Sequence, residues 1–276
     1  MDNYQPEIKI REKIELPLIM KRALILAVIC LSTTLQALAW GQKGHDVSAY
    51  IAQTNLSPKA LKKVTAILDN HSLVYYSSWM DSASHTDEYR YTASWHFRNV
   101  DKGMTPETMP RNDKGDATQA IINITAQLKK GGLSAKEEKV ALMMLIHLLG
   151  DMHCPMHAGR LSDRGGNSRM VYFFGSKRNL HSVWDTALIE SAHKWSYTEW
   201  AEQIDRLTKK EKQALAAGDP ELWFKDSYEA AKIIYAATPE GHKISYDYID
   251  EFAPLAERQL LLAGIRLAAI LNEIYG

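Results

Sequence analysis

The sequence predicts an all-α protein: a single domain of packed helices with one small β element, spanning residues 40–276 of a 276-residue chain. Three observations carry that prediction. Apolar residues recur at three- and four-residue spacing through most of the chain beyond Ser57, the period of a helix that buries one face. Recognisable helix start and stop signals bracket these stretches. β-like patterning is confined to one patch, Met170 to Phe174.

The elements follow in order. Ser57-Pro58 opens a helix through Leu68, with proline near the first helical position, where its missing N–H costs nothing. Asp116 to Lys130 is amphipathic, with Ile121, Ile124 and Leu128 on one face, and Gly131-Gly132 ends it. Ser134 caps the next helix, and Glu137 three residues later completes a capping box. That helix runs through VALMMLIHLLGDMH, apolar nearly all round, which predicts a central buried helix; Pro155 ends it. A glycine-rich connection, Asp163 to Asn167, precedes the β patch. Helical patterns return at 179–193, 196–216, 220–237 and 246–275, and Pro254 in the last predicts a kink or a later start.

Residues 1–39 read as an export segment. After Lys21 and Arg22 an apolar run from Ala23 closes on the small-residue pattern Ala37-Leu38-Ala39. That is the layout of a secretory signal peptide cleaved before Trp40. The run contains Ser32, Thr33, Thr34 and Gln36 and is only about 17 residues long, short and polar for a membrane span. The processed chain is therefore expected to be periplasmic or extracellular, with no stable membrane association.

From Trp40 onward the chain carries 28 Lys and Arg against 29 Asp and Glu. This balance argues against a protein that grips nucleic acid by a broad basic surface. It leaves room for an enzyme whose metal ions supply positive charge locally. Only Cys154 lies beyond residue 39, so the processed chain forms no internal disulfide. All ten histidines lie in this part.

Several of them sit in metal-ligand spacing. In HLLGD, His147 and Asp151 are i and i+4 on one helix face, so imidazole and carboxylate can share one ion. NLHSVWD repeats the device with His181 and Asp185. His157 follows the helix-ending Pro155, Asp81 and His96 lie upstream in WMD and WHF, and His45 lies near Trp40. One such pair is commonly an ordinary hydrogen bond. Asp151 among Leu and Met is different, because a buried carboxylate needs a cation, a metal or donors. Imidazole and carboxylate without thiolate suit zinc in a hydrolytic site.

These motifs resemble the zinc-dependent S1/P1 nuclease family, itself related in fold to zinc phospholipase C. The resemblance rests on W-G-x-x-G-H at Trp40–His45, W-x-D at Trp79–Asp81, W-H-F at Trp95–Phe97, H-x-x-x-D-x-H-x-P-x-H at His147–His157, G-G-N at Gly165–Asn167 and N-L-H-x-x-W-D at Asn179–Asp185. It implies three zinc ions. One is held by Asp81, His96, His147 and Asp151. The second is held by the α-amino nitrogen and carbonyl oxygen of Trp40 with His45 and the bridging Asp151. The third is held by His157, His181 and Asp185. It makes Asp151 the least replaceable catalytic residue and implies a monomer that hydrolyses single-stranded nucleic acid without a protein partner. Asn167, Phe97 and Asn99 are the implied substrate contacts.

Two positions depart from the family pattern. Ser84 stands where relatives carry Arg, leaving His85 or Arg90 as the nearby replacements, and Asn99 stands where they carry Asp for base recognition. Cys154 reads as a buried small residue rather than a ligand. Two other readings stay open on the sequence. A zinc phospholipase C shares the N-terminal Trp ligand but ends its ligand set with Glu and a shorter gap between its last two histidines. A non-catalytic zinc-binding export protein would hold the metals structurally.

Overall fold

A computed structural model describes residues 40–276; the predicted signal peptide lies outside the described residues. The chain order is α1 (Gln42–Thr54), α2 (Pro58–Ile67), α3 (Trp79–Ala83), α4 (Ala117–Lys130), α5 (Ala135–His153), β1 (Met170–Phe173), β2 (Ser176–Asn179), α6 (Leu180–Ser182), α7 (Leu188–Ala192), α8 (Tyr197–Ile204), α9 (Lys209–Ala216), α10 (Pro220–Ala237), β3 (Lys243–Ile244) and α11 (Tyr246–Tyr275). Short 3-10 turns punctuate the connections, including Pro155–Ala158 directly after α5. The all-α expectation with a small β element holds. The β patch is the middle of a three-stranded sheet, antiparallel to β2 and parallel to β3.

Helix α5 is the axis of the fold, buried without a break from Ala141 to His153. The Ser134–Glu137 capping box starts it. Cys154, held extended by the following Pro155, stops it. Around it pack α4, α1 and the 30-residue α11, which at 1.5 Å per residue is about 45 Å long. Leu142, Leu145, Leu148 and Leu149 are fully buried, and truncating one of them to Ala would cost about 2–5 kcal/mol. Helix α11 crosses α1 closely at Gly264, where a Cβ would fall 2.5 Å from Ile51 Cγ2. That contact fixes the height of α1, nearly two turns beyond His45.

Two stretches differ from the sequence reading, and a third settles where the last helix starts. Residues 196–216 form two helices, because Thr208 and Glu211 make their own capping box and restart the helix after Asp205. Helix α11 begins at Tyr246, before Pro254 rather than after it; Asp250, whose carbonyl Pro254 leaves unbonded, is exposed and water can satisfy it. Residues 179–193 form a helix interrupted by a π turn at Val183–Ala187. Such turns are rare and frequent at functional sites.

Candidate metal centre

Asp151 is fully buried, and imidazoles surround it. Its Oδ2 lies 2.8 Å from His96 Nδ1 and 3.0 Å from His147 Nε2. Its Oδ1 lies 3.2 Å from His45 Nε2 and 4.0 Å from His157 Nδ1. Asp81 Oδ1 approaches His147 Nε2 to 3.4 Å, and His96 Nδ1 lies 3.1 Å from the same nitrogen. Alongside, His181 Nε2 is 3.0 Å from Asp185 Oδ2, and His157 Nε2 is 3.9 Å from Asp185 Oδ1. The cluster draws on α1, α3, α5, the turn after α5, the segment before α4, and α6 with its π turn.

Backbone carbonyls orient the rings. A carbonyl can only accept, so each ring nitrogen facing one carries the proton. His147 Nδ1 donates to Ser77 O at 2.8 Å, and His181 Nδ1 donates to Gly165 O at 2.7 Å. His157 Nδ1 donates to His96 O. In all three the Nε2 lone pair then points into the cluster, the arrangement that metal-bound histidines use.

Many polar atoms of the cluster make no hydrogen bond. His45 Nδ1 and Nε2, His96 Nε2, Asp151 Oδ1, His157 Nε2, His181 Nε2 and Asp185 Oδ2 are buried without a hydrogen bond. Buried polar atoms are rarely left so, and a cluster of them asks for a cation. The spacing fits one. Donor atoms at about 2.0–2.1 Å from a tetrahedral zinc ion lie about 3.3 Å apart. Among Asp81, His96, His147 and Asp151 the measured separations run from 2.8 to 3.4 Å. Among the described residues, three groups of side chains can hold an ion by proximity: His45 with His147 and Asp151; Asp81 with His96 and His147; and Cys154 with His157 and Asp185.

With protons in place of metal, the charges arrange accordingly. Burial works against a charged His147, but the Asp151 carboxylate outweighs it and raises its pKa to about 9. Burial likewise opposes an ionised Asp151, yet the surrounding imidazoles hold its carboxyl well below the usual range. Burial pushes the His157 pKa down. Burial and then Asp185 push the Cys154 thiol well up, so it stays protonated and donates from Sγ to Asp185 Oδ1 at 3.1 Å. A protonated thiol is a poor ligand. Proximity includes Cys154 in the third group; without a metal its thiol is a hydrogen-bond donor to Asp185, and His181 Nε2 stands on the other oxygen of the same carboxylate.

The S1/P1 nuclease family pattern matches residues 40–276, the whole of the described chain. The chain belongs to the S1/P1 nuclease family. It is 29% identical over 268 residues to Endonuclease 2 of Arabidopsis thaliana, covering 86% of this chain and 91% of that protein. To Endonuclease 4 of the same plant it is 30% identical over 275 residues, covering 87% and 90%. To Nuclease P1 of Penicillium citrinum it is 29% identical over 268 residues, covering 86% and 98%.

As an S1/P1 family member, the chain opens its described part against the cluster. Trp40 is fully buried, and the next residue, Gly41, donates its N–H to Asp185 O at 2.6 Å. The start of the chain is thereby tied to a candidate ligand. The substrate-side residues are more dispersed. Phe97 is half-buried and stands outside the hydrophobic core; with Asn99 it lines a cavity of about 320 Å³. Asn99 Nδ2 donates to Gly159 O at 3.0 Å. Asn167 donates from Nδ2 to Arg164 O at 2.9 Å, within its own loop. Ser84 is buried and turns its hydroxyl to Asp81 O at 3.1 Å. Arg90 is 69% exposed and paired with Asp87 at 2.7 Å. His85 is exposed.

Sequence reasoning missed three supporting residues of this S1/P1 centre. Ser77 and Gly165 act only through backbone carbonyls, which leave no compositional trace. Gly150 had a signal, a glycine in the middle of an apolar helix, which commonly marks close packing. A Cβ there would fall 2.6 Å from His45 Nδ1.

Proposed function

We propose that the chain, processed to begin at Trp40 and exported, is a zinc-dependent phosphodiesterase that cuts single-stranded RNA, DNA or both to products ending in 5′-phosphate. Removal of phosphate from 3′-nucleotides is a second activity of the same site. The observation that carries this reading is the convergence of unpartnered, buried imidazole and carboxylate atoms on Asp151. The family membership supports the reaction class.

Three zinc ions fit the donor sets. Asp81, His96, His147 and Asp151 would hold one. Asp151, His45 and the amino nitrogen and carbonyl oxygen of Trp40 would hold a second. His157, His181 and Asp185 would hold the third. When bound, the ions supply Lewis acidity toward the phosphoryl oxygens and lower the pKa of water toward neutrality. Asp151 offers both carboxylate oxygens and so keeps two sites at a fixed separation. The carbonyls of Ser77, Gly165 and His96 hold the protons of three imidazoles on Nδ1 and keep Nε2 free. Cys154 keeps its proton on the Asp185 side, so no thiolate competes and the attacking group is water. Phe97 offers a face on which any base can stack, as a sequence-tolerant nuclease requires. Asn99 and Asn167 contact the nucleotide beside it.

The test is product analysis after zinc-loaded processed protein meets single-stranded DNA and RNA. Nucleotides with 5′-phosphate ends are expected. Zinc-loaded protein that releases no nucleotide from either polymer would overturn the reading in favour of a structural metal cluster.

A further inference from the structure

Beyond the metal centre the described residues carry a second cleft, of about 430 Å³. Helix α10, the segment after His157 and the stretch from Val100 to Gly103 form its walls. Four cations line it, Lys102, Arg160, Arg169 and Lys232, against one carboxylate, Asp101. Asp101 is already occupied: its Oδ1 accepts the Ser162 N–H at 2.9 Å and the Ser162 hydroxyl at 2.8 Å.

The cations are only partly neutralised. The Arg160 guanidinium lies 4.2 Å from the ring centre of Tyr235, and the Arg169 guanidinium lies 4.9 Å from the same ring. Arg169 is held by protein groups: its Nε lies 3.6 Å from Asp163 Oδ2, and its Nη1 donates to Thr238 O at 2.8 Å. Lys232 pairs with Glu229 at 2.7 Å. Arg160 and Lys102 make no ion pair or side-chain hydrogen bond among the described residues. Packing on Tyr235 explains one guanidinium. Asp163 and the Thr238 carbonyl account for the second, Arg169, which leaves Arg160 and Lys102 as the cations of this cleft without an ion pair among the described residues, in a chain of near-zero net charge. Such a surplus suits an anion.

The cleft is also on the route from the metal centre. Arg98 N donates to His157 O and Val100 N donates to Gly159 O, each at 2.9 Å, so residues 97–101 and 157–160 run side by side. They lead from the candidate ligands His96 and His157 to the cleft. Three residues separate His157 from Arg160, a reach of at most about 10 Å.

We propose that this cleft binds a backbone phosphate of single-stranded nucleic acid one or two nucleotides from the scissile bond. Arg160 provides the planar fork and Lys102 the second charge, while Arg169 and Lys232 add to the field. The choice of ligand rests on the nuclease reading above. The consequence is a dependence on substrate length, since a dinucleotide is too short to reach both sites.

The test compares parent and Lys102→Ala/Arg160→Ala proteins, purified in processed form. Two readouts apply: the ratio of kcat/KM on a 12-nucleotide single strand to that on a dinucleotide, and the Kd of a fluorescent 12-mer in chelator, where turnover stops. The double variant is expected to lower the ratio and raise the Kd by about tenfold, and to reduce the slope of log Kd against log salt by about one. Lys102→Ala alone, at an exposed side chain that supports no loop, moves both readouts in the same direction by about threefold, which separates the effect from misfolding. Parent-like ratio, Kd and salt slope in both variants would overturn the proposal. If parent protein cuts neither substrate but binds the 12-mer through these residues, the cleft stands and the nuclease reading falls. If parent cuts both and the variants match it, the cleft falls and the nuclease reading stands.

Discussion

Gly150 lies directly beneath His45: a Cβ on Gly150 would sit 2.6 Å from His45 Nδ1 and 2.9 Å from Cε1. Only a residue without a side chain lets α1 lay this imidazole beside Asp151, the next residue of α5. The rings of His45 and His147 then stack at 4.2 Å with an interplanar angle of 16°. Gly150→Ala is expected to displace His45, weaken one metal site by about 10–100-fold and cut kcat by about 100-fold. Metal content by mass spectrometry and chelator competition measure the first effect, and steady-state kinetics the second. A fully loaded, fully active Gly150→Ala protein would show that His45 is not held this way.

Trp40 is buried, and its neighbour Gly41 is bonded to Asp185 O. A free amino group can bind a metal, whereas a peptide nitrogen normally cannot. Protein carrying one extra residue before Trp40, or an Ala39 replacement that blocks processing, is therefore expected to retain about one ion fewer per chain. Elemental analysis of both forms decides it: equal zinc content would exclude the amino group as a ligand.

Cys154 is fully buried and donates to Asp185. In the processed protein it is expected to resist thiol reagents until the chain unfolds. Cys154→Ser should keep the hydrogen bond and the third metal, and Cys154→Val should loosen that metal by about tenfold. Cobalt substitution gives a direct readout. A sulfur-to-cobalt charge-transfer band in the near ultraviolet would make Cys154 a ligand and contradict the donor role.

His153 supplies a stability effect separate from the metals. Its Nδ1 donates to Leu149 O, and its Nε2 accepts from Arg266, each at 2.8 Å. Burial first and the Arg266 charge second depress its pKa from 6.5 to about 3. Between those values the unfolded chain binds a proton that the folded chain does not. The stabilisation is thus complete above pH 6.5 and is lost as pH falls toward 3, by up to about 1.4 kcal/mol per pH unit. His153→Gln keeps an acceptor for Arg266 and does not titrate. Its unfolding free energy, measured by urea titration in chelator, should decline less steeply than that of the parent between pH 6.5 and 4.5. Parallel pH curves would refute the assignment.

Much of this was legible in the chain because its signals are local. The Ser134–Glu137 capping box, the unbroken apolar face of α5 and the stop at Pro155 depend on residues within a turn of one another. Thr208 and Glu211 carried the same kind of signal, and the continuous pattern predicted over 196–216 hid it. The last helix runs through Pro254 over the predicted 246–275, because an exposed proline leaves only a solvated carbonyl behind.

The spacing of His147 with Asp151 and of His181 with Asp185 was set by helix geometry, so the residue order alone placed each pair on one face. The helical class, the buried axis and the ligand types followed from the same local rules. The packing of distant elements decided the rest. It brought His45, His96 and His157 to the Asp151 carboxylate and Asp81 to His147, turned the Nδ1 of His147, His157 and His181 toward backbone carbonyls, and gathered Lys102 and Arg160 at one cleft. These contacts span tens of residues and depend on how closely helices approach, as at Gly150 and Gly264. Local periodicity records which face of a helix is buried; it carries no record of what lies opposite.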